Sequence, residues 1–275
     1  MCFLWFCATR DIVCERCLGG CFWNCIDQKC HKNSFSASAV YTLESYFNTW
    51  FGKYDWISHF ISPSRFLTAK HVAAGFPHDK LVYLPNSLEP SAFEPSFSPG
   101  AYVLFAGRLS REKGIICLLQ AFSQTDIPLR IVGVGPIEVE AKEYVINNGM
   151  QNISFEGYCS GDRLKSLFQG AAFVVMPSEW YENAPMSVLE GFAYGKPIVG
   201  SRIGGIPELV IPDCTGLLFE PGNVDDLQLN IVELWGNKAK ISTMGSQARA
   251  RIEHEFSAQR HLSGLLEIYE SAMKN

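Results

Sequence analysis

Gly107-Arg108-Leu109-Ser110-Arg111-Glu112-Lys113-Gly114 sets three cations in a short loop that begins and ends on glycine. The loop follows the apolar run Tyr102–Ala106 and leads into a helical pattern at 114–122. A helix N-terminus carries about half a positive charge. With Arg108 and Lys113 beside it, this loop makes a site for an anion bearing two phosphates. By composition alone it reads as a solvated charged turn. Its place at the carboxyl end of a strand is what favours phosphate.

Pro177-Ser178-Glu179-Trp180-Tyr181-Glu182-Asn183-Ala184-Pro185-Met186-Ser187-Val188-Leu189-Glu190 is the most informative stretch, and it follows the fully apolar run 172–176. Glu182 falls in the loop and Glu190 inside the helical pattern 185–194. Asn183, Ala184, Pro185 and Met186 form the helix entry, where backbone N–H groups are free to face the same pocket. Glu190 is surrounded by Val188, Leu189, Phe192 and Ala193. A carboxylate in so apolar a setting needs a hydrogen-bond partner, because burying an unpaired charge is costly. A core arginine would serve, and so would ligand hydroxyls. The pairing with Glu182 and the neighbouring glycine loops favours the ligand. Trp180 and Tyr181 suit a ligand site and core packing equally.

Two further glycine turns follow strands. Gly133-Val134-Gly135-Pro136 resembles a fragment of a dinucleotide fingerprint, but the third glycine is missing. It reads as a tight strand-to-helix turn with backbone contact to a ligand. Gly204-Gly205-Ile206-Pro207-Glu208 leads to an acidic residue that the helix dipole alone explains.

Seven of the ten cysteines precede residue 31. Cys14, Cys17, Cys21, Cys25 and Cys30, followed by His31, offer enough thiolates for a structural zinc ion. The spacing lacks the usual pair of Cys-x2-Cys knuckles. A disulfide, or reduced cysteines packed with Phe22 and Trp23, are the alternatives. Cys117, Cys159 and Cys214 stand in apolar contexts and read as core thiols. A local cluster beside a large apolar core argues for a reducing compartment, and so for the cytoplasm.

Positioning these groups requires a regular framework. Short apolar runs at Tyr102–Ala106, Leu129–Val132, 153–155, 172–176, 197–200 and 217–219 alternate with amphipathic stretches. That pattern predicts an α/β fold with a doubly wound parallel sheet covered on both faces. Such sheets bind ligands at the carboxyl ends of their strands. Residues 85–100 are proline-rich and read as a hinge. Before them, helices are expected at 38–51 and 66–74, with short strands at 56–62 and 81–84.

Composition sets the outer bounds. The chain has 275 residues, 47% hydrophobic and 19% charged, so it has ample surface to bury. A net charge of −5 argues against nucleic acid as partner, because phosphate backbones need a basic face. No apolar run approaches the roughly 18 residues of a membrane span. A secretory signal is not expected, since the first residues lack a basic region.

Gly107-Arg108-Leu109 with Lys113-Gly114, Pro177-Ser178 with Glu182 and Glu190, Gly204-Gly205 with Pro207-Glu208, Thr215-Gly216 and Pro221-Gly222 together resemble the carboxyl-terminal domain of glycosyltransferase family 4. These are retaining enzymes of GT-B architecture, with two Rossmann-like domains facing a cleft. The resemblance runs from about residue 102 to the end. It implies a partial amino-terminal, acceptor-side domain at 1–90, with a Cys-rich segment at 14–31. A donor-binding domain at 91–255 follows, and a terminal helix at 256–275 returns to the first domain.

The resemblance also implies roles. A nucleotide-diphosphate sugar would be the donor, with Arg108 and Lys113 neutralising its diphosphate. Glu182 would contact the sugar hydroxyls and Glu190 the ribose. Gly107, Gly133 and the 183–186 backbone would line the site, with Gly157 and Tyr158 near the base. Glu182, Arg108 and Lys113 would be the catalytic set. The acceptor would be a glycan or lipid-linked sugar, and peripheral contact with a membrane is compatible with this. No Asp-x-Asp motif occurs, so no catalytic metal or other cofactor is expected. The first strands and glycine loop of the family's amino-terminal domain are missing, and residues 1–10 read as a remnant of a middle strand. The expectation is therefore a truncated hexosyltransferase. A non-catalytic nucleotide-sugar-binding fragment and a nucleotide-sugar epimerase of the same architecture are the alternatives.

Overall fold

The computed structural model describes residues 7–9 and 12–274, with residues 7–9 and 12 given by their backbone alone. Most of the segment 1–10 therefore lies outside the described residues. The chain divides into two units, Met1–Pro85 with Ser263–Asn275, and Asn86–Leu262.

The first unit opens with a short antiparallel pair, β1 (Cys7–Thr9) and β2 (Ile12–Cys14). Two helices follow, α1 (Trp23–Asp27) and α2 (Phe35–Trp50). The Ser34 hydroxyl accepts from the Ala37 N–H and caps α2, which starts three residues earlier than the apolar pattern suggests. Then come β3 (Phe60–Ser62), α3 (Arg65–Ala73) and β4 (Leu81–Tyr83), with β3 and β4 paired in parallel. Ser64 caps α3 through the Leu67 N–H.

The cysteine segment builds a small core in this unit. Cys17, Phe22 and Cys25 are buried together, with Cys30, Tyr41 and Tyr46 against them. Cys21 points outward and is exposed. Cys17 and Cys25 are thus turned into an aromatic core while Cys21 faces solvent. Among the described residues no group of three or more His, Cys, Asp or Glu side chains is placed to hold a metal ion. Cys2 lies outside the described residues, and the side chain of Cys7 is not described.

The second unit is built on β5 (Tyr102–Ala106), α4 (Ile115–Phe122), β6 (Leu129–Val132), α5 (Glu138–Asn147) and β7 (Ile153–Gly157). It continues through α6 (Gly161–Gly170), β8 (Ala171–Met176), α7 (Met186–Ala193), β9 (Ile198–Ser201), α8 (Ile206–Leu209) and β10 (Gly216–Phe219). Helices α9 (Val224–Trp235), α10 (Lys238–His254) and α11 (Ala258–Lys274) close the chain. No helix among the described residues is long and apolar enough to cross a membrane.

The strands form one parallel sheet of six in the order β10-β9-β8-β5-β6-β7. Side chains alternate across a strand, so one strand feeds both faces. Val103 and Phe105 of β5, with Phe173 and Val175 of β8, join α4, α5 and α9 on one face. Tyr102, Leu104, Val174 and Met176 join α6, α7 and part of α10 on the other. This is the doubly wound sheet that the alternating apolar runs predict.

One buried side chain takes a large share in tying down the proline-rich segment, which Gln169 and Lys196 also reach through the carbonyls of Glu94 and Ser98. Arg249 of α10 is buried and donates to the carbonyls of Pro90 at 2.9 Å, Phe93 at 3.0 Å and Ala193 at 2.7 Å.

Candidate functional site

The sheet order decides where the predicted residues meet. From β5 the chain winds outward through β6 and β7, then returns to add β8, β9 and β10 on the opposite side. The order therefore reverses between β5 and β8. A crevice opens at the carboxyl ends of strands where such a reversal occurs. The loops that leave β5 and β8 are the two singled out from sequence.

The loop after β5 is held by backbone bonds. Gly107 N–H donates to the Val132 carbonyl at 3.0 Å, and Leu109 N–H to Val134 at 3.1 Å. Gly133 adopts φ +131°, and a Cβ there would stand 1.9 Å from the Gly107 carbonyl oxygen. Only glycine permits so close an approach of the two loops. Residues Arg111–Lys113 form a single 3₁₀ turn, so α4 begins at Ile115 rather than directly at Gly114.

The three cations of this loop part company. Arg111 is drawn to Glu140 of α5 at 2.7 Å. Arg108 is exposed, with no ion pair among the described residues. Lys113 reaches the loop after β8, where its Nζ lies 2.5 Å from Oε1 of Glu182. Both partners are largely enclosed, with side-chain exposures of 27% and 13%. A pair this sheltered is screened less by water and salt than a surface pair.

Ser178 completes the arrangement. It is fully buried, and its hydroxyl donates to the same Oε1 of Glu182 at 2.6 Å. Its carbonyl accepts from the buried Ser201 hydroxyl at the end of β9, at 2.6 Å. The Glu182 carbonyl accepts from the Gly205 N–H at 2.6 Å. Glu182 is thus fixed at side chain and backbone by groups from three strand ends.

Glu190 sits in α7 between the buried Leu189 and Gly191. Burial pushes its carboxyl above the usual glutamate range. Among the described residues its side chain makes no hydrogen bond or ion pair. Asn183, Ala184 and Pro185 form the entry to α7, Pro185 buried and Met186 exposed. Asn86 Nδ2 donates to the Ala184 carbonyl at 3.1 Å and steadies this entry. Gly157 ends β7 and Tyr158 follows it with its ring exposed, at the same carboxyl end of the sheet.

The predicted groups therefore fall at one end of one sheet, and Lys113 and Glu182 are in direct contact. Sequence reading gave no role to Ser178, Ser201, Gly205 or Asn86. Ser178 carried a signal, since a hydroxyl four residues before Glu182 in the same loop can fold back on it. The others had none, because their partners are distant in the chain.

The family model described as glycosyl transferases group 1 matches residues 90–251. An uncharacterized glycosyltransferase, MJ1178 of Methanocaldococcus jannaschii, is 31% identical over 61% of this chain and 47% of its own. The O-antigen chain mannosyltransferase C of Escherichia coli is 28% identical over 72% of this chain and 56% of its own. The D-rhamnosyltransferase WbpZ of Pseudomonas aeruginosa is 33% identical over 57% of this chain and 42% of its own. The chain thus spans about half the length of the curated relatives it matches.

Among solved structures, Anabaena HepE in complex with UDP and glucose superposes with a TM-score of 0.72 at 22% identity, over 78% of this chain and 63% of its own. A glycosyltransferase from Rickettsia africae gives 0.72 at 22% identity, over 83% and 68%. These neighbours have the GT-B fold, so the α/β class expected from sequence stands. The match of the family model across both candidate loops places this chain among the group 1 glycosyl transferases.

Proposed function

We infer that this chain carries the donor site of a retaining glycosyltransferase that takes a hexose from a nucleotide-diphosphate sugar. The observation that carries the reading is the Lys113–Glu182 contact across the β5–β8 switch point, with Arg108 in the same loop as Lys113. A diphosphate carries the charge that two cations suit, and a sugar carries the hydroxyls that two carboxylates suit.

The chemistry follows from where charge develops. As the bond from the anomeric carbon to the diphosphate breaks, its electron pair goes to the phosphate oxygen. Arg108 and Lys113 stabilise that oxygen as fixed cations. The anomeric carbon becomes oxocarbenium-like. The acceptor hydroxyl bonds to it on the face the diphosphate leaves, and its proton passes to the departing phosphate. Glu182 holds the sugar hydroxyls and Glu190 the ribose hydroxyls. The Anabaena HepE structure, solved in complex with UDP and glucose, supports a donor of this class. The relative named as an O-antigen chain mannosyltransferase supports a glycan acceptor. Catalysis in this scheme needs no metal, since the cations come from the protein.

Calorimetry of the full chain with UDP, GDP, UDP-glucose and GDP-mannose tests the reading. Binding of at least one nucleotide is expected, weakened about 10- to 100-fold in Lys113→Ala. Undiminished binding in that variant would remove the site from the Lys113 loop. NMR of the product's anomeric configuration, in a transfer assay, decides retention.

A further inference from the structure

Two donors converge on one oxygen of Glu182. The Lys113 ammonium lies at 2.5 Å and the Ser178 hydroxyl at 2.6 Å from Oε1. Among the described residues Oε2 receives no hydrogen bond. The carboxylate is thus pinned at one oxygen and presents the other.

Ser178 is built to do this and little else. Its side chain is fully buried, so it has no access to water or ligand. Its one hydroxyl proton has a second acceptor nearby, the Met176 sulfur at 3.6 Å, which is longer and weaker than the carboxylate. Its own backbone is fixed by Ser201, which is also fully buried. A hydrogen bond to an ionised carboxylate is roughly twice as strong as a neutral one. Breaking it leaves Oε1 held by the Lys113 ammonium alone.

We propose that Ser178 is a positioning residue, whose hydroxyl anchors Oε1 of Glu182 so that Oε2 is the oxygen offered to the donor sugar. The proposal rests on the donor-site reading above and adds a division of labour to it. When a diphosphate draws on Lys113, that ammonium is shared between two anions. Ser178 has no such competitor, and it keeps the carboxylate aimed while Lys113 turns to the phosphate.

Full-chain variants Ser178→Ala and Ser178→Thr test this with two independent readouts. The first is the crystal structure of unliganded Ser178→Ala, in which the Glu182 carboxylate is expected to rotate from its place beside Lys113. An unmoved carboxylate overturns the proposal. The second is calorimetry with UDP and UDP-glucose. Ser178→Ala is expected to lose about tenfold in affinity for UDP-glucose while its affinity for UDP changes by less than about twofold. Ser178→Thr, which keeps the hydroxyl, is expected to restore the difference. Equal loss for both ligands would mark Ser178 as a merely structural residue and overturn the proposal. If the wild-type chain binds neither nucleotide, the donor-site reading fails, and the crystal structure of Ser178→Ala still decides whether Ser178 positions Glu182.

Discussion

The Gly205 N–H donates to the backbone carbonyl of Glu182 at 2.6 Å, so the loop after β9 clamps the loop after β8. The clamp depends on Gly204. Its φ is +61°, and a Cβ there would lie 2.2 Å from the Glu182 carbonyl oxygen and 2.7 Å from the Glu182 nitrogen.

Gly204→Ala is therefore expected to destabilise by more than left-handed strain alone. Gly149 gives the control, since it has φ +64° with open space where its Cβ would go. Gly149→Ala should cost about 1 kcal/mol, and Gly204→Ala about 2–4 kcal/mol, because backbone must also move. Urea unfolding of both variants measures the difference. Equal midpoints would show that the two loops part without cost.

Arg249 holds three carbonyls that no other side chain reaches among the described residues. Arg249→Met keeps most of the buried stem and removes the donors. Pro90 keeps the Phe93 N–H as donor, while the carbonyls of Phe93 and Ala193 lose the Arg249 guanidinium and their desolvation is uncompensated; the total is expected to be about 2–4 kcal/mol. For a unit of this size that lowers Tm by roughly 5–15 °C. A calorimetric shift below about 2 °C would mean that water satisfies these carbonyls.

Glu190 makes stability depend on pH. Burial raises its native pKa above the unfolded value, so the native state keeps the proton to higher pH than the unfolded chain. The contribution is fully present below the ordinary glutamate range. It declines as pH rises through that range and is gone above the native value. Glu190→Gln removes the titration. The variant should melt above wild type at about pH 7, and the gap should close near pH 4. A wild-type advantage at neutral pH would indicate a partner for this carboxylate.

Thiol reactivity should divide the cysteines by environment. Burial, aided by neighbouring thiols, pushes Cys17 up to about 12. Burial, with the Glu179 charge second, pushes Cys117 up to about 12. Cys21 is exposed. Iodoacetamide at about pH 8 should label Cys21 first, with Cys17 and Cys117 at least about a hundredfold slower, since only thiolate reacts. Denaturation should abolish the difference. Peptide mapping by mass spectrometry gives each rate, and Cys117 labelling at the pace of Cys21 would contradict the packing of α4.

The sequence alone carried the six strands of the main sheet and the helices between β5 and β9, but not the β1–β2 pair, α1, α9 or α10. Fully apolar runs of strand length, spaced by amphipathic stretches, fit strands buried on both faces of a parallel sheet, and the sheet has that form. The loop cations and the paired glutamates were legible because their types follow strand ends. Element edges were less so: Ser34 and the Arg111–Lys113 turn set helix starts through single hydrogen bonds that periodicity does not register.

Tertiary structure decided which charges meet. Lys113 and Arg111 are two residues apart in one loop, yet one pairs with Glu182 and the other with Glu140. Nothing local distinguishes them. The choice comes from the strand order, which sets β8 rather than β6 on one side of β5 and so brings together residues far apart in the chain. The cysteine segment shows the same limit, since spacing offered a set of thiols while packing with Phe22 turned Cys17 and Cys25 inward and left Cys21 outside. Strand order and side-chain direction are settled by how the whole set of faces buries its apolar surface, and that is a property of the assembled fold rather than of any segment.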